Sequence, residues 1–117
     1  MLRCIVAERE QEKIGLGTVI LSDIDRQNGT AQVHIKMGTE GVRGKGYGTD
    51  ALNTIVTYAF REMRLNCVYA EVLEYNIASQ KLFEKCNFHK DGLLRARVFK
   101  NGDYINVFSF SRLKEDG

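Results

Sequence analysis

The feature that most constrains the fold of this chain is a change of hydrophobic period across a glycine-rich basic segment. Before the segment, Thr30–Met37 alternates apolar and polar side chains, as a half-buried strand does. After it, apolar residues recur at helical spacing from Thr49 towards a predicted stop at Asn66. This order places the segment at the carboxyl end of a strand. Its residues are Arg43-Gly44-Lys45-Gly46-Tyr47-Gly48-Thr49.

Such a segment is a candidate phosphate-binding loop. Glycines allow the backbone N–H groups to approach a ligand closely, and the first turn of the next helix offers unpaired donors with a partial positive charge. Arg43 and Lys45 add fixed positive charge.

Two common glycine motifs do not fit the loop. A P-loop requires a glycine where Thr39 stands and a serine or threonine where Gly46 follows the lysine. A dinucleotide fingerprint requires GxGxxG, whereas the glycines here are spaced GxGxG. Both classes of nucleotide site are therefore excluded.

The rest of the chain predicts an α/β fold with an antiparallel start and finish. Cys67–Leu73 is an apolar strand, parallel to Thr30–Met37 because a helix connects them. Asn76 is expected to cap a second helix that extends through Asn87. Its inward face is predicted to carry Ile77, Leu82, Phe83 and Cys86.

Two pairs of strands are expected to flank this parallel unit. The first pair is joined by the polar residues Glu10–Lys13, and the second by Asn101-Gly102, a strong hairpin signal. Asp25–Gly29 is a further polar turn. The predicted strands are Leu2–Glu8, Ile14–Leu21, Phe88–Lys100 and Asp103–Leu113.

Composition limits the class of protein. The 117 residues are enough for one domain, residues 1–117, and 44% of them are hydrophobic. A net charge of +2 with scattered basic residues argues against a nucleic-acid partner. There is no membrane-spanning apolar run and no signal-peptide pattern, so no membrane partner is expected and the predicted location is cytoplasmic. The widely spaced Cys4, Cys67 and Cys86 are interpreted as reduced thiols, and no metal is expected.

The loop resembles the acetyl-CoA pyrophosphate signature of the GNAT acetyltransferases, (Arg/Gln)-x-x-Gly-x-(Gly/Ala), through Arg43, Gly46 and Gly48. The segment from Glu74 to Phe88 resembles the second conserved region of that family. The closing segment from Gly92 to Tyr104 is similar to the branch that acetylates ribosomal-protein N-termini, polyamines and amino sugars.

The resemblance implies a GNAT-like mixed sheet with a central, splayed pair of parallel strands and two main helices. It implies acetyl-CoA as the cosubstrate and a primary amine as the acceptor. The resemblance implies that acetyl-CoA contacts the strand backbone at Ile35 and Met37 and the loop from Arg43 to Thr49. It also implies contacts from Asn76, Ser79 and Lys81.

The residues that the family often uses for proton transfer differ here. Gln32 stands where a glutamate base is common, and an amide cannot accept the proton. Phe83 stands where a tyrosine acid is common, and Tyr75 is its possible replacement. Candidate substitute bases are His34, Glu71 and Glu74, of which the glutamates would act through water. The alternative is that these three are ordinary solvated residues.

The resemblance begins at the family's second strand, so the first strand and the two helices that follow it are expected to be missing. We therefore expect the face of Gln32, His34 and Lys36 to be covered by a second subunit, as in a homodimer, or by further chain of a longer protein. Three functions remain open: an active N-acetyltransferase, a CoA-binding module without turnover, and an interaction subunit without ligand.

Overall fold

The structure is built on a six-stranded mixed sheet with two helices. This computed structural model describes residues 2–7, 15–37 and 47–116, with side chains for residues 19–36 and 48–116. The strands are β1 (Leu2–Ala7), β2 (Gly15–Asp25), β3 (Thr30–Met37), β4 (Cys67–Leu73), β5 (His89–Lys100) and β6 (Asp103–Leu113), and the helices are α1 (Tyr47–Arg61) and α2 (Ile77–Lys85).

The strand order is β1-β2-β3-β4-β6-β5. Pairing is antiparallel at both ends of the sheet, and β3 and β4 form the parallel pair that α1 connects. Asn101 and Gly102 both have positive φ, 54° and 85°, as a type I′ hairpin turn requires. The predicted α/β class, its antiparallel start, its parallel pair and its two helices are confirmed.

The parallel pair is joined over a short distance only. Its registered partners are Thr30 with Cys67, Ala31 with Val68, and Gln32 with Tyr69. Both strands continue further, but β3 then pairs with β2 as far as Met37, while β4 pairs with β6 as far as Leu73. The strands therefore separate towards their carboxyl ends, and the predicted splay is confirmed.

Both helices pack on the same face of the sheet. The inward stripe of α1 lies against β2, β3 and β4, and α2 contributes Phe83 and Cys86 to the same cluster. Phe83 contacts Phe88 edge-on at 4.9 Å between ring centroids and stacks on Phe110 at 5.9 Å. Rings at these spacings gain more than their burial alone provides. The stripe of α1 is Leu52, Ile55, Val56, Ala59 and Phe60.

The opposite face, which we call the open face, is more polar. Alternation along the strands places on it Ile20 and Ser22 of β2, Gln32, His34 and Lys36 of β3, Tyr69 and Glu71 of β4, and Ser109 and Ser111 of β6. His34, Lys36 and Glu71 are exposed and the others are half-buried. The predicted division of β3 between two faces is confirmed.

Four boundaries differ from the sequence prediction, one of which is the start of β5 at His89 rather than Phe88. β2 extends to Asp25 rather than Leu21, because a bulge after Ser22 lets the polar residues pair again at Asp25 and Thr30. α1 ends at Arg61 rather than near Asn66. After the helix, Arg64 adopts φ 57°, and this turn of the backbone returns Leu65 to the core. α2 ends at Lys85 rather than Asn87, which takes φ 67° as the residue that closes the helix.

One predicted inward residue of α2 is wrong. Ile77 is 54% exposed, whereas Gln80 is only 8% exposed. Gln80 occupies the inward position because its Nε2 donates to the carbonyl oxygen of Glu74 at 2.8 Å. Glu8, Ile14 and the predicted Glu10–Lys13 hairpin lie outside the described residues. Neither described helix is long and apolar enough to cross a membrane.

Gly29 provides a test of the β2–β3 turn. It has φ +72°, its carbonyl accepts from Asn66 N at 2.7 Å and from Cys67 N at 3.0 Å, and an added Cβ would lie 3.3 Å from Asn66 N. We expect Gly29→Ala to lower the free energy of unfolding by about 1–2 kcal/mol, the cost of a left-handed conformation with a Cβ.

Gly92→Ala is the matched control, because a Cβ there meets nothing within 4 Å. We expect it to change stability by less than about 0.5 kcal/mol. Urea unfolding of both variants measures the difference, and equal effects would contradict the role given to Gly29.

Candidate functional site

A cavity lies where β3 and β4 separate. Its volume is about 200 Å³. The lining comes from three consecutive residues on each strand and from one side of α2: Val33, His34 and Ile35; Glu71, Val72 and Leu73; Asn76, Ser79 and Phe83.

The cavity is bordered from both faces of the sheet. Val33, Val72 and Phe83 belong to the core on the helix face. His34 and Glu71 alternate with these core positions and so lie on the open face. A ligand held between the strands would therefore contact α2 on one side and two ionisable side chains on the other.

The amino-terminal end of α2 forms one wall of the cavity. Asn76 is the N-cap, and its Oδ1 accepts from the backbone N–H of Ser79 at 3.1 Å. The predicted cap is confirmed, and both residues border the cavity. Lys81 is exposed on the same helix and is not part of the lining.

The three candidate bases occupy different environments. His34 lines the cavity, and its Nε2 is hydrogen-bonded to Ser22 Oγ at 2.8 Å. Glu71 lines the other strand. Glu74 lies outside the lining, in the β4–α2 turn, where its Oε1 accepts from Asn106 Nδ2 at 3.3 Å and its N–H donates to the Asn106 carbonyl at 3.0 Å. The structure thus brings together His34 and Glu71, but not Glu74.

Of the two residues that depart from the family pattern, Phe83 lines the cavity and Gln32 immediately precedes its lining on β3. Phe83 is 3% exposed and lines the cavity, while Tyr75 is 56% exposed and does not. Gln32 is the last residue of β3 that pairs with β4, directly beside Tyr69. Burial, together with the nearby carboxylates of Asp23 and Glu71, raises the pKa of the Tyr69 phenol, which therefore stays protonated at neutral pH.

Sequence reasoning missed Ser22 and Tyr69. Both become neighbours of Gln32 only through strand pairing, since Ser22 faces it across β2–β3 and Tyr69 across β3–β4. The alternation of β3 identified the polar face, but no local signal in β2 or β4 identified its partners.

The predicted pyrophosphate loop lies only partly within the described residues. Arg43, Gly44, Lys45 and Gly46 are outside them, whereas Tyr47 begins α1. Gly48 is buried and Thr49 half-buried in the first turn of the helix. Of the two predicted strand positions, Ile35 borders the cavity and Met37 ends β3.

The end of α2 lies against the start of α1. The Cys86 Sγ is 3.9 Å from the Thr49 carbonyl oxygen.

The two described thiols have raised pKa values. Burial raises the pKa of the Cys86 thiol. Burial, together with the carboxylates of Asp91 and Asp116, raises the pKa of the Cys67 thiol. Cys67 and Cys86 are unbridged, and the side chain of Cys4 lies outside the described residues. Raised pKa values are typical of structural rather than reactive thiols.

Comparison with known proteins agrees with this geometry. The family model for the acetyltransferase (GNAT) domain matches residues 1–89. The chain is 32% identical over 114 residues to an uncharacterized N-acetyltransferase, p20, of Bacillus licheniformis, covering 97% of this chain and 63% of that protein. It is 30% identical over 105 residues to a spermidine N(1)-acetyltransferase of Vibrio cholerae, covering 90% and 59%. The chain therefore belongs to the GNAT acetyltransferase family.

A solved structure gives the same result. The crystal structure of spermidine N-acetyltransferase from Vibrio cholerae in complex with CoA and spermine is similar to this chain at a TM-score of 0.87 and 26% identity. The match covers 97% of this chain and 66% of that one. This chain spans 63% of the length of p20 and of a prophage-derived N-acetyltransferase of Bacillus subtilis.

The cap of α2 can be tested by substitution. We expect Asn76→Ala to lower the free energy of unfolding by about 1 kcal/mol, because the Ser79 N–H loses its acceptor. Asn76→Asp keeps an acceptor oxygen at the helix N-terminus and should retain stability. Thermal unfolding compares the two variants. If both variants lost the same stability, the acceptor oxygen that caps the helix would not be the group that stabilises it.

Proposed function

We propose that the protein transfers an acetyl group from acetyl-CoA to a primary amine by direct attack of the amine on the thioester. The observation that carries this proposal is the gap between β3 and β4, which has polar groups of α2 on one side and His34 and Glu71 on the other. Membership of the GNAT family supports the same chemistry.

The donor is proposed to bind with its pantetheine arm in the gap. From Val33 onward, β3 is registered only with β2 among the described strands, so its edge towards β4 can bond to a ligand. The backbone at Ile35 and Met37 is proposed to do so. Asn76 and Ser79 would meet the arm from α2, with Lys81 further along the helix.

The pyrophosphate is proposed to lie on the loop from Arg43 to Thr49. The amino-terminal turn of α1 supplies N–H donors and the positive end of the helix dipole. On α2, Lys85 adds a positive charge near Cys86, which itself contacts this turn. The N–H donors at the start of α1 and the charge of Lys85 support an anion at this position, while Asp50 in the same turn opposes it.

Chemistry then requires a neutral amine, and a proton for the departing thiolate. The amine nitrogen bonds to the carbonyl carbon, the carbon–sulfur bond breaks, and the amine releases one proton to a base. We propose His34 or Glu71 as that base, since both border the cavity, and keep Glu74 as a base acting through water. The thiolate takes its proton from solvent or from a protonated group nearby. Positioning of the two reactants supplies much of the rate.

The acceptor is proposed to be a polyamine, a protein N-terminus or an amino sugar. Spermidine acetyltransferases among the relatives make a polyamine the first candidate. The carboxylate of Glu71 on the open face suits a cationic acceptor. We keep the homodimer, the cytoplasmic location and the lack of a metal or nucleic-acid partner as proposals. A second subunit over the open face would complete the acceptor side.

A second candidate is a CoA-binding protein without turnover. Gln32 and Phe83 favour it, because neither side chain can exchange a proton at neutral pH. The two candidates share the donor site and differ only in product formation. A binding measurement and a turnover measurement therefore separate them.

The first experiment combines thermal unfolding with a thiol-release assay. We expect acetyl-CoA at about 100 times its Kd to stabilise the protein by about 2.7 kcal/mol. Spermidine, an N-terminal peptide or an amino sugar should then release CoA thiol. Gly46→Val is the control, since its side chain should block backbone approach to the pyrophosphate and abolish the shift. Stabilisation without thiol release from any amine would favour the second candidate.

Phe83→Tyr tests the missing acid. We expect it to raise kcat roughly tenfold or more, because a positioned general acid contributes about 10²–10⁴ in rate. Phe88→Tyr is the matched control: it adds the same hydroxyl to the neighbouring ring, which does not line the cavity. Equal effects of both variants would contradict a role for position 83 in proton transfer.

A further inference from the structure

We propose that Ser22 is a positioning residue that fixes the tautomer of His34. In this arrangement the Nε2–H of the imidazole donates to Ser22 Oγ across 2.8 Å, and Nδ1 keeps its lone pair as the proton acceptor. This role rests on the proposed acetyl transfer, in which His34 is a candidate base, and it explains how His34 keeps a nitrogen free to accept the proton.

The pairing register explains why the two side chains meet. Ser22 is directly opposite Gln32, and His34 is directly opposite Ile20. Ser22 and His34 are therefore diagonal neighbours on the open face, a distance that a long side chain spans. The bulge begins just after Ser22, where Asp23 has φ 50°. Bulges fix the direction of neighbouring side chains, and this one ends regular pairing beside the serine.

A role as base requires one of the two neutral tautomers of His34. If the serine hydroxyl donated to Nε2, then Nδ1 would carry the hydrogen and neither ring nitrogen could accept a proton without breaking a bond. If Nε2–H donates to the serine, Nδ1 is available. The hydrogen bond to Ser22 also survives protonation, because an imidazolium still carries a hydrogen on Nε2. Ser22 can thus accept a hydrogen bond from Nε2–H both before and after proton transfer.

The position of the ring suits this role. His34 borders the cavity on β3, and Glu71 borders it on β4. When the amine attacks the thioester, its proton passes to Nδ1 as the carbon–nitrogen bond forms and the carbon–sulfur bond breaks. The imidazolium that forms borders the same cavity as Glu71.

Nitrogen NMR of the imidazole rings tests the tautomer without any need for activity. The chain has only two histidines, His34 and His89, so His89→Gln assigns the signals. At about pH 8.5 we expect the His34 signals to show a protonated Nε2 and an unprotonated Nδ1. Ser22→Ala should give a mixture of tautomers, and Ser22→Thr, which keeps a hydroxyl, should restore the single form. A protonated Nδ1 in the unchanged protein would overturn the proposal.

Turnover tests the catalytic consequence. We expect Ser22→Ala to lower kcat about tenfold, the effect of one lost hydrogen bond of ordinary strength, with the KM for acetyl-CoA unchanged and with rescue by Ser22→Thr. Ser111→Ala, another half-buried serine of the open face, should leave kcat unchanged.

The two readouts also separate this inference from the proposed function. A single tautomer with full kcat in Ser22→Ala would overturn the positioning role. Absence of turnover in the unchanged protein with every amine would overturn acetyl transfer and the catalytic role together, while NMR would still decide the hydrogen-bonded tautomer.

Discussion

The separation of β3 from β4 is the constraint on which the rest of the structure depends. Three registered pairs hold the strands together, and beyond Gln32 each strand is supported by its outer neighbour. Backbone N–H and C=O groups inside a protein need hydrogen-bond partners. An opening in the middle of a sheet is therefore stable only if each strand remains paired on its other side and its open edge bonds to water or a ligand. The sheet therefore provides a slot with polar edges between two firmly paired halves.

Helix α2 makes one wall of this slot and is anchored at both ends. At its start, Asn76 caps the first turn and buried Gln80 binds the Glu74 carbonyl. At its end, the Phe88 N–H donates to the Phe83 carbonyl at 2.9 Å while the two rings pack together. Arg112 Nη1 donates to the Cys86 carbonyl and to Asn53 Oδ1, each at 3.1 Å, which ties α2 to α1 and β6. This wall is consequently held by contacts from three elements.

The side chains proposed for proton transfer lie on the opposite side of the slot. Gln32 and Phe83 stand where the resembled family often has its base and acid. The open face nevertheless brings His34 and Glu71 to the gap, and Ser22 to His34. Glu74 is engaged by Asn106 and serves the β4–α2 turn. In this chain the sequence motifs of the proposed donor site match the family pattern, and the side chains proposed for acid–base chemistry are positioned by cross-strand neighbours.

Local sequence determined the elements, the Asn101-Gly102 hairpin, the Asn76 cap and the two faces of β3, because each depends on residues close together in the chain. The motifs around Arg43 and Glu74 also identified the family. Only the tertiary structure decided that Ser22 meets His34, that Glu74 lies outside the cavity, that Ile77 is exposed where Gln80 is buried, and that β2 continues past Leu21. These outcomes depend on strand register, bulges and burial, which couple residues 6 to 32 positions apart, and no local periodicity encodes such couplings.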